Sequence, residues 1–579
     1  MIIYEAAIRH KNLFIRVDIL IKKGSLVELV EVKAKSFNSS DTEDEFFNRS
    51  GTIFSEWKPY LADIAFQKYV FTSSFPEYTV NAYLMMADKN AICSTDGLNQ
   101  KFKITKDEYG RKKVLVSDDL SKADLHTPVL ARINVDNSCN IIYDEPILLG
   151  DKEICFEEYI NFLSEHYKND KKISSPPSST CANCEFKADE TEISKGLKSG
   201  YRQCWQERLG WKEKDFSEPT VLDIWNFRKK NIYIDAGIIK LSDIDINDIN
   251  PKADSKPGIS TTERQWLQIQ KAVNKDSAYW IDSGNLRREM KSWTYPLHFI
   301  DFETSMVAIP FNKGRRPYEG IAFQFSHHIV YEDGRVEHKG QYLNSQPGIF
   351  PNYDFIRNLK KELETDNGSI FRYAPHENIY LNFIYQQLIE DYSDIYDREE
   401  LCEFIRTITK SSSSVEEAVG EEWEGPRNMI DMLELVKRYY YDPAMKGSNS
   451  IKYVLPAILN SSRYLQEKYS EPIYGVKSII PSHNFENWTW IEFRKNKVVN
   501  PYELLPKMFQ DMPDEELIIS AENNELRDGG AAMIAYSRMQ FEEMSEYERK
   551  EINKALLKYC ELDTMAMVMI YEGWRNMVG

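Results

Sequence analysis

The apolar run Leu297, Phe299, Ile300 ends in Asp301 and Glu303. Side chains two apart on a strand share a face, so the two carboxylates project together while Phe302 points the other way. Carboxylates held side by side repel unless positive charge lies between them, and a hard divalent cation is the usual remedy. The pair therefore suggests a Mg²⁺ or Mn²⁺ site, against the plainer reading of a strand end whose acids are simply hydrated. Two further stretches bear on the choice. Residues 544–570, "MSEYERKEINKALLKYCELDTMAMVMI", open with the capping box Ser545-x-x-Glu548 and continue as a long helix. On it Tyr559 and Asp563 lie one turn apart on the same face, so a phenol and a carboxylate reach one place. Residues 370–388, "IFRYAPHENIYLNFIYQQL", predict a short strand leading into a helix whose start carries His376 and Glu377. An acid there also complements the helix dipole with no catalytic purpose.

Near the start, "NLFIRVDILIKKGSLVELVEVKAKS" predicts two strands around the turn Lys22, Lys23, Gly24, Ser25, because apolar residues recur at every second position on both sides. Asp18 lies on the first strand; Glu31 and Lys33 share a face of the second. Taken alone, Glu-Val-Lys is an ordinary strand alternation with a cross-strand ion pair. The helical spacing of "PYLADIAFQKYVF" then places Asp63 and Gln67 one turn apart. After the first acidic pair, "NKGRRPYEG" offers Arg315, Arg316 and Tyr318 as a grip on phosphate and base, the alternative being a solvated loop. "KRYYYDPAMKGSNSIKYVL" interleaves Lys and Tyr similarly, with at least one of Tyr439, Tyr440 and Tyr441 expected in the core. Cys181-x2-Cys184 followed by Cys204 is suggestive of a metal site, but a cluster or a zinc needs four ligands.

Asp301-x-Glu303, a middle acid and Tyr559-x3-Asp563 resemble the DEDD exonucleases of the RNase H-like superfamily, in the version where Tyr precedes the last Asp. More closely, "DFET", "IAFQFSHHIV", "GSNSIKYVLPAIL", "DGGAAMIAYSRM" and "LLKYCELDTMAMV" resemble, in order, the domain of unknown function 2779, a bacterial family of predicted nucleases. That resemblance implies four carboxylates, Asp301, Glu303, Glu377 and Asp563, binding two Mg²⁺ or Mn²⁺ ions, with Tyr559 orienting or helping to deprotonate the attacking water. Two positions depart from the pattern: Glu377 stands where an Asp is usual, and Ala374 where Asn is expected. The order Asp18, then Glu31-x-Lys33, resembles the PD-(D/E)XK nucleases, which implies a second cation at Asp18 and Glu31, with Lys33 positioning water or screening phosphate. "DIAFQKYV" resembles the Gln-containing helix of the RecB-like branch, with Gln67 touching substrate and Glu5 as its early acid. In the iron-sulfur members of that branch Cys181, Cys184 and Cys204 match three of four cluster ligands. Cys93, Cys139 and Cys155 are the candidates for the fourth.

These residues need scaffolds to position them. A chain of 579 residues predicts about three or four domains. With 42% hydrophobic and 13% aromatic residues it is amply able to pack cores. The N-terminus lacks the pattern of a signal peptide, and no segment reaches the roughly 18 apolar residues of a membrane span, which together predict a cytoplasmic protein with no membrane partner. Eight irregularly spaced cysteines then read as reduced thiols or metal ligands. A net charge of -18 excludes bulk electrostatic coating of nucleic acid, though not a nuclease with its positive charge confined to one groove. The expected fold class is α/β: a restriction-endonuclease-like (PD-(D/E)XK) domain over 1–170, a cysteine-bearing helical connector over 171–292, and an RNase H-like (DnaQ-like) mixed-sheet domain over 293–579. The acidic stretch 411–425 is expected to be a low-complexity loop. The expected activity is 3'-5' exonucleolysis of single strands, DNA before RNA, with DNA repair or phage defence implied at family level only. A binding protein on degenerate nuclease folds, and an endonuclease using the N-terminal site, are the competing readings.

Overall fold

The structure is a computed structural model that describes residues 1–40, 43–106, 111–150, 152–173, 175–509 and 529–579. It opens with three antiparallel strands, β1 (Ile2–His10), β2 (Leu13–Lys23) and β3 (Leu26–Phe37). Leu13, Ile15 and Val17 are buried while Phe14 and Arg16 are exposed, the alternation a half-buried strand requires. Gly24, at φ 63, supplies the left-handed residue of the β2–β3 turn. Helix α1 (Lys58–Ser74) carries the chain across to β4 (Thr79–Asp88), parallel to β3, and β5 (Leu130–Asn134) pairs antiparallel with β4. The sheet order is β1-β2-β3-β4-β5. Leu61, Ile64, Ala65 and Val70 of α1 join its core, with α2 (Asp136–Asp144) and α3 (Phe156–Lys168) alongside.

A smaller core forms around Trp205, Ile224, Ile239 and Ile269, the last on α4 (Thr261–Val273). Arg264 of α4 is 2% exposed and donates to the carbonyls of Val436 and Tyr440 and to Asn449 Oδ1, pinning this region to the C-terminal part of the chain.

The second large sheet comprises β6 (Leu297–Ser305), β7 (Ile321–Val330), β8 (Val336–Leu343), β9 (Ile370–Arg372) and β10 (Ile430–Asp431), in the order β8-β7-β6-β9-β10. β7 is antiparallel to both neighbours; β6, β9 and β10 run parallel. Helices α5 (Asn352–Leu363), α6 (His376–Glu390) and α7 (Ser413–Val419) belong to one side, and α8 (Ile451–Ser461), α9 (Gly529–Phe541) and α10 (Glu546–Val578) to the other. Along β6, Leu297 and Phe299 enter the core shared with α10, while Ile300 and Phe302 enter the core shared with α5. Period two therefore sets Asp301 and Glu303 in the row that faces α10.

Residues 411–425 are not the loop their composition suggests. α7 is followed by Gly420 in the left-handed conformation, Val415 is buried, and Trp423 Nε1 donates to Thr409 Oγ1. Acidic residues there cover a small apolar face. Tyr439, Tyr440 and Tyr441 are all buried, so none is available as a stacking platform.

Candidate functional site

Asp301 pairs in register with Ser326 and Glu303 with Gln324, and the β6–β7 ladder slips directly after Glu303. Such bulges re-aim side chains beside functional sites. α10 is buried continuously from Tyr559 to Trp574 and turns Tyr559, Cys560 and Asp563, three and four apart, towards the strand. Cys560 Sγ lies 3.6 Å from both the carbonyl oxygen and Oδ2 of Asp301, a residue 259 positions away in the chain. Among the described residues, one set of three or more metal-ligating side chains has its ligand atoms all within 4.8 Å of one another: Asp301, Glu303 and Cys560.

Asp563 accepts a hydrogen bond from the Tyr502 hydroxyl, and Lys452 Nζ donates to Tyr559 Oη at 2.7 Å. Glu377, at the start of α6, is 1% exposed, and its Oε2 has no hydrogen-bond partner. The turn that presents it is strained: Ala374 has φ 77. Asp431 holds that turn, accepting from the Ala374 N–H at 3.0 Å and from Arg372 Nη1 at 3.0 Å. His376 Nε2 meets Thr304 Oγ1 at 3.0 Å, tying α6 to β6.

The electrostatics follow from crowding acids in a dry place. Burial, then the charges of Asp563, Glu377 and Glu303, push the Asp301 carboxyl well above its ordinary range. Burial lifts Glu377 to about 8, against the pull of its own backbone N–H and of Arg372. Asp563 is raised by burial too, held back by Lys452, Tyr502 and Tyr559. Tyr559 and Cys560 are pushed far up, first by burial and then by the neighbouring carboxylates. Such a set is short of positive charge.

The N-terminal residues also gather. Lys33 Nζ lies 2.7 Å from Glu31 Oε1 and 2.6 Å from Asp63 Oδ2. Gln67 Nε2 donates to Glu31 Oε2 at 2.7 Å and to Asp63 Oδ1 at 3.2 Å. Burial raises the Glu31 carboxyl despite Lys33 and Gln67. Asp18 Oδ2 accepts the Val32 N–H at 2.8 Å, beyond the Ile19–Val30 pair where the β2–β3 ladder ends. Glu5, in the left-handed region at φ 54, is turned to an ion pair with Arg16 at 2.5 Å.

Other expected site residues lie differently. Cys181, Cys184 and Cys204 are partly exposed, and their three sulfurs do not all lie within 4.8 Å of one another. Of the candidates for a fourth ligand, Cys139 is in the N-terminal core, Cys93 donates to the Thr95 carbonyl, and Cys155 sits at the start of α3. Arg315 is engaged internally: it donates to Tyr353 at 2.8 Å, pairs with Asp391 and Glu319, and stacks over Phe350 at 4.0 Å. Arg316 donates to the Asn90 carbonyl at 2.8 Å, and with Tyr318 it lines a cavity of 440 Å³ beside Phe383 of α6.

Sequence reasoning passes over Cys560, Tyr502, Lys452 and Asp431. The three-residue step from Cys560 to Asp563 and the lysine of "SIKYVL" hold signals for two of them; Tyr502 has none.

Residues 298–450 match the family model of a Domain of unknown function (DUF2779). That span includes Asp301, Glu303 and Glu377 and ends before Tyr559 and Asp563. No curated protein and no solved structure matches the chain. Among the described residues no helix is long and apolar enough to cross a membrane.

Proposed function

We propose that the chain is a metal-dependent nuclease, a 3'-5' exonuclease acting on single strands, DNA in the first place, through the site between β6, α6 and α10. The observation that carries the reading is the meeting of Asp301 and Glu303 with the α10 face that bears Tyr559 and Asp563, alongside a buried Glu377 with an orphaned oxygen. The sheet order β8-β7-β6-β9-β10, with β7 antiparallel, supports an RNase H-like, DEDDy-type domain; the β1–β5 sheet with its α1 crossover supports a PD-(D/E)XK-like one.

The residues fit divalent cations. The donors are hard carboxylate oxygens, and burial raises the pKa of Asp301, Glu377 and Asp563, which favours the arrival of positive charge. Asp301, Glu303, Glu377 and Asp563 would hold Mg²⁺ or Mn²⁺, which supplies a lowered water pKa and charge neutralisation at phosphorus. Burial, then the charge of Asp563, raises the Tyr559 pKa well above its ordinary value. The phenol oxygen accepts from Lys452, which holds Tyr559 where it would orient the attacking water or help to deprotonate it. Tyr502 fixes the Asp563 carboxylate, and the Thr304–His376 contact fixes the approach of α6.

The test is release of nucleotides from single strands, DNA and RNA, with Mg²⁺ or Mn²⁺ and label at the 3' or 5' end. Asp301→Ala should abolish turnover without unfolding the chain. No turnover by the wild type would turn the reading towards a binding protein. A second reading, endonucleolytic cutting at the N-terminal site, is favoured by the bonding of Lys33 and Gln67 to Glu31 and Asp63. Turnover lost in Lys33→Ala but kept in Asp563→Ala selects it.

A further inference from the structure

Cys560 is set apart from the chain's other buried thiols. Cys139 packs among Val135 and Ile142 in the apolar core of the first sheet, as an inert thiol does. Cys560 instead has two carboxylates within 4.8 Å of its sulfur, on strand β6. It lies three residues before Asp563 and one after Tyr559, so the helix face that carries the acid also carries the sulfur. An independent feature beside Asp301, outside that close set of three, points to a ligand as well. Glu377 presents a buried oxygen with no hydrogen-bond partner, and its charge is one of those felt most strongly by Asp301. A side chain so buried forgoes a partner only at a cost, unless a cation supplies one.

We propose that Cys560 is a sulfur ligand of the C-terminal site, so that the site prefers a borderline cation of the Zn²⁺ class over Mg²⁺. The proposal rests on the reading of the C-terminal acids as a metal site and deepens it. Carboxylate oxygens alone favour hard ions such as Mg²⁺, whereas a thiolate contributes little to Mg²⁺ and much to Zn²⁺. On binding, the S–H bond breaks, a metal–sulfur bond forms, and the proton passes to solvent; nothing is oxidised or reduced. Around Mg²⁺ the thiol would keep its proton and its contact with Asp301, whose Oδ2 lies 3.6 Å from Sγ. Zn²⁺ therefore displaces Mg²⁺ at lower concentrations than it would from a site made of oxygens alone.

The test uses the metal-stripped full chain, as wild type, Cys560→Ser and Cys560→Ala. Zn²⁺ and Mg²⁺ affinities are measured by competition, and Cd²⁺ is added as a spectroscopic probe of thiolate ligation in the near ultraviolet. The expected result is a Zn²⁺-over-Mg²⁺ preference that falls by at least about tenfold in both variants, with Mg²⁺ affinity unchanged and the Cd²⁺ band reduced by one thiolate. The difference between chains removes the contribution of the other seven cysteines. If either variant fails to fold, the wild type alone decides: anomalous density at the Zn²⁺ edge, from crystals of the full chain, should lie about 2.3 Å from Cys560 Sγ. Equal preference and an equal Cd²⁺ band in wild type and variants, or zinc density at the acids but away from Cys560 Sγ, overturns the sulfur ligand while leaving the acid site standing. Mg²⁺ and Mn²⁺ binding that is the same in wild type and Asp301→Ala instead sinks the acid site, and the sulfur ligand with it.

Discussion

Replacing Glu377 with Gln tests the electrostatic character of the site without any assumption about substrate. In the metal-free protein, burial lifts this carboxyl from 4.5 to about 8. The folded chain then keeps a proton that the unfolded chain gives up above its ordinary pKa, so stability is full at low pH and falls as pH rises through that window. At about 1.36 kcal/mol per pK unit the whole interval amounts to roughly 5 kcal/mol, a ceiling because neighbouring acids share the proton. The amide introduced by Glu377→Gln carries no charge at any pH in this range, so the variant should lose roughly 2–4 kcal/mol less than the wild type between about pH 5 and pH 8.5. The assay is urea denaturation in EDTA across that range, comparing the slopes of the two chains so that titrating groups outside the acid cluster cancel. Saturating Mg²⁺ should stabilise the wild type most at the alkaline end, where the carboxylates are ionised, and should stabilise Glu377→Gln less. Parallel pH curves for the two chains, or a wild type that gains stability with rising pH relative to the variant, would falsify the reasoning.

Three other substitutions follow from particular contacts. Ala374→Gly relieves a left-handed backbone in front of a proline and should raise stability by about 1 kcal/mol in denaturant melts; a loss would mean the turn depends on the methyl group. Tyr502→Phe removes a donor that holds the Asp563 carboxyl down, so the acid limb of the pH–rate profile should move to higher pH; an unmoved limb contradicts that role. Arg315→Ala strands Asp391 and Glu319 beside a lost guanidinium and should cost about 3 kcal/mol of stability, with single-strand affinity in the folded fraction unchanged; weakened binding at intact stability would restore Arg315 as a phosphate contact.

The parts of the site that are legible in the sequence are those governed by short-range periodicity. Asp301 and Glu303 share a face because strands repeat every two residues, Tyr559 and Asp563 because helices repeat near four, and Ser545 with Glu548 marks where α10 starts. The same rule outlines the first two-strand turn, the shared face of Glu31 and Lys33, and the Asp63–Gln67 step, but not the Lys33–Asp63 contact across 30 positions. What stays hidden depends on contacts between distant segments. Tyr502 reaches Asp563 across 61 positions with no local pattern to announce it. Cys560 is masked by its type, since a thiol on a buried helix reads as core until the carboxylates opposite are placed. Composition misleads at 411–425, where charged residues flank Val415 and Trp423, and at Arg315, whose partners Tyr353 and Asp391 come from α5 and from just beyond α6. Ala374 shows a departure with a physical meaning: its backbone is left-handed, a conformation that Asn tolerates better than Ala does.

Whether four acids from β6, α6 and α10 hold cations is answered most directly by anomalous scattering from crystals of the full chain grown or soaked with Mn²⁺. The account predicts anomalous density enclosed by Asp301, Glu303, Glu377 and Asp563, lost in Asp301→Ala. Density confined to Glu31 and Asp18, or none at the C-terminal acids while Mn²⁺ binds elsewhere, would contradict it.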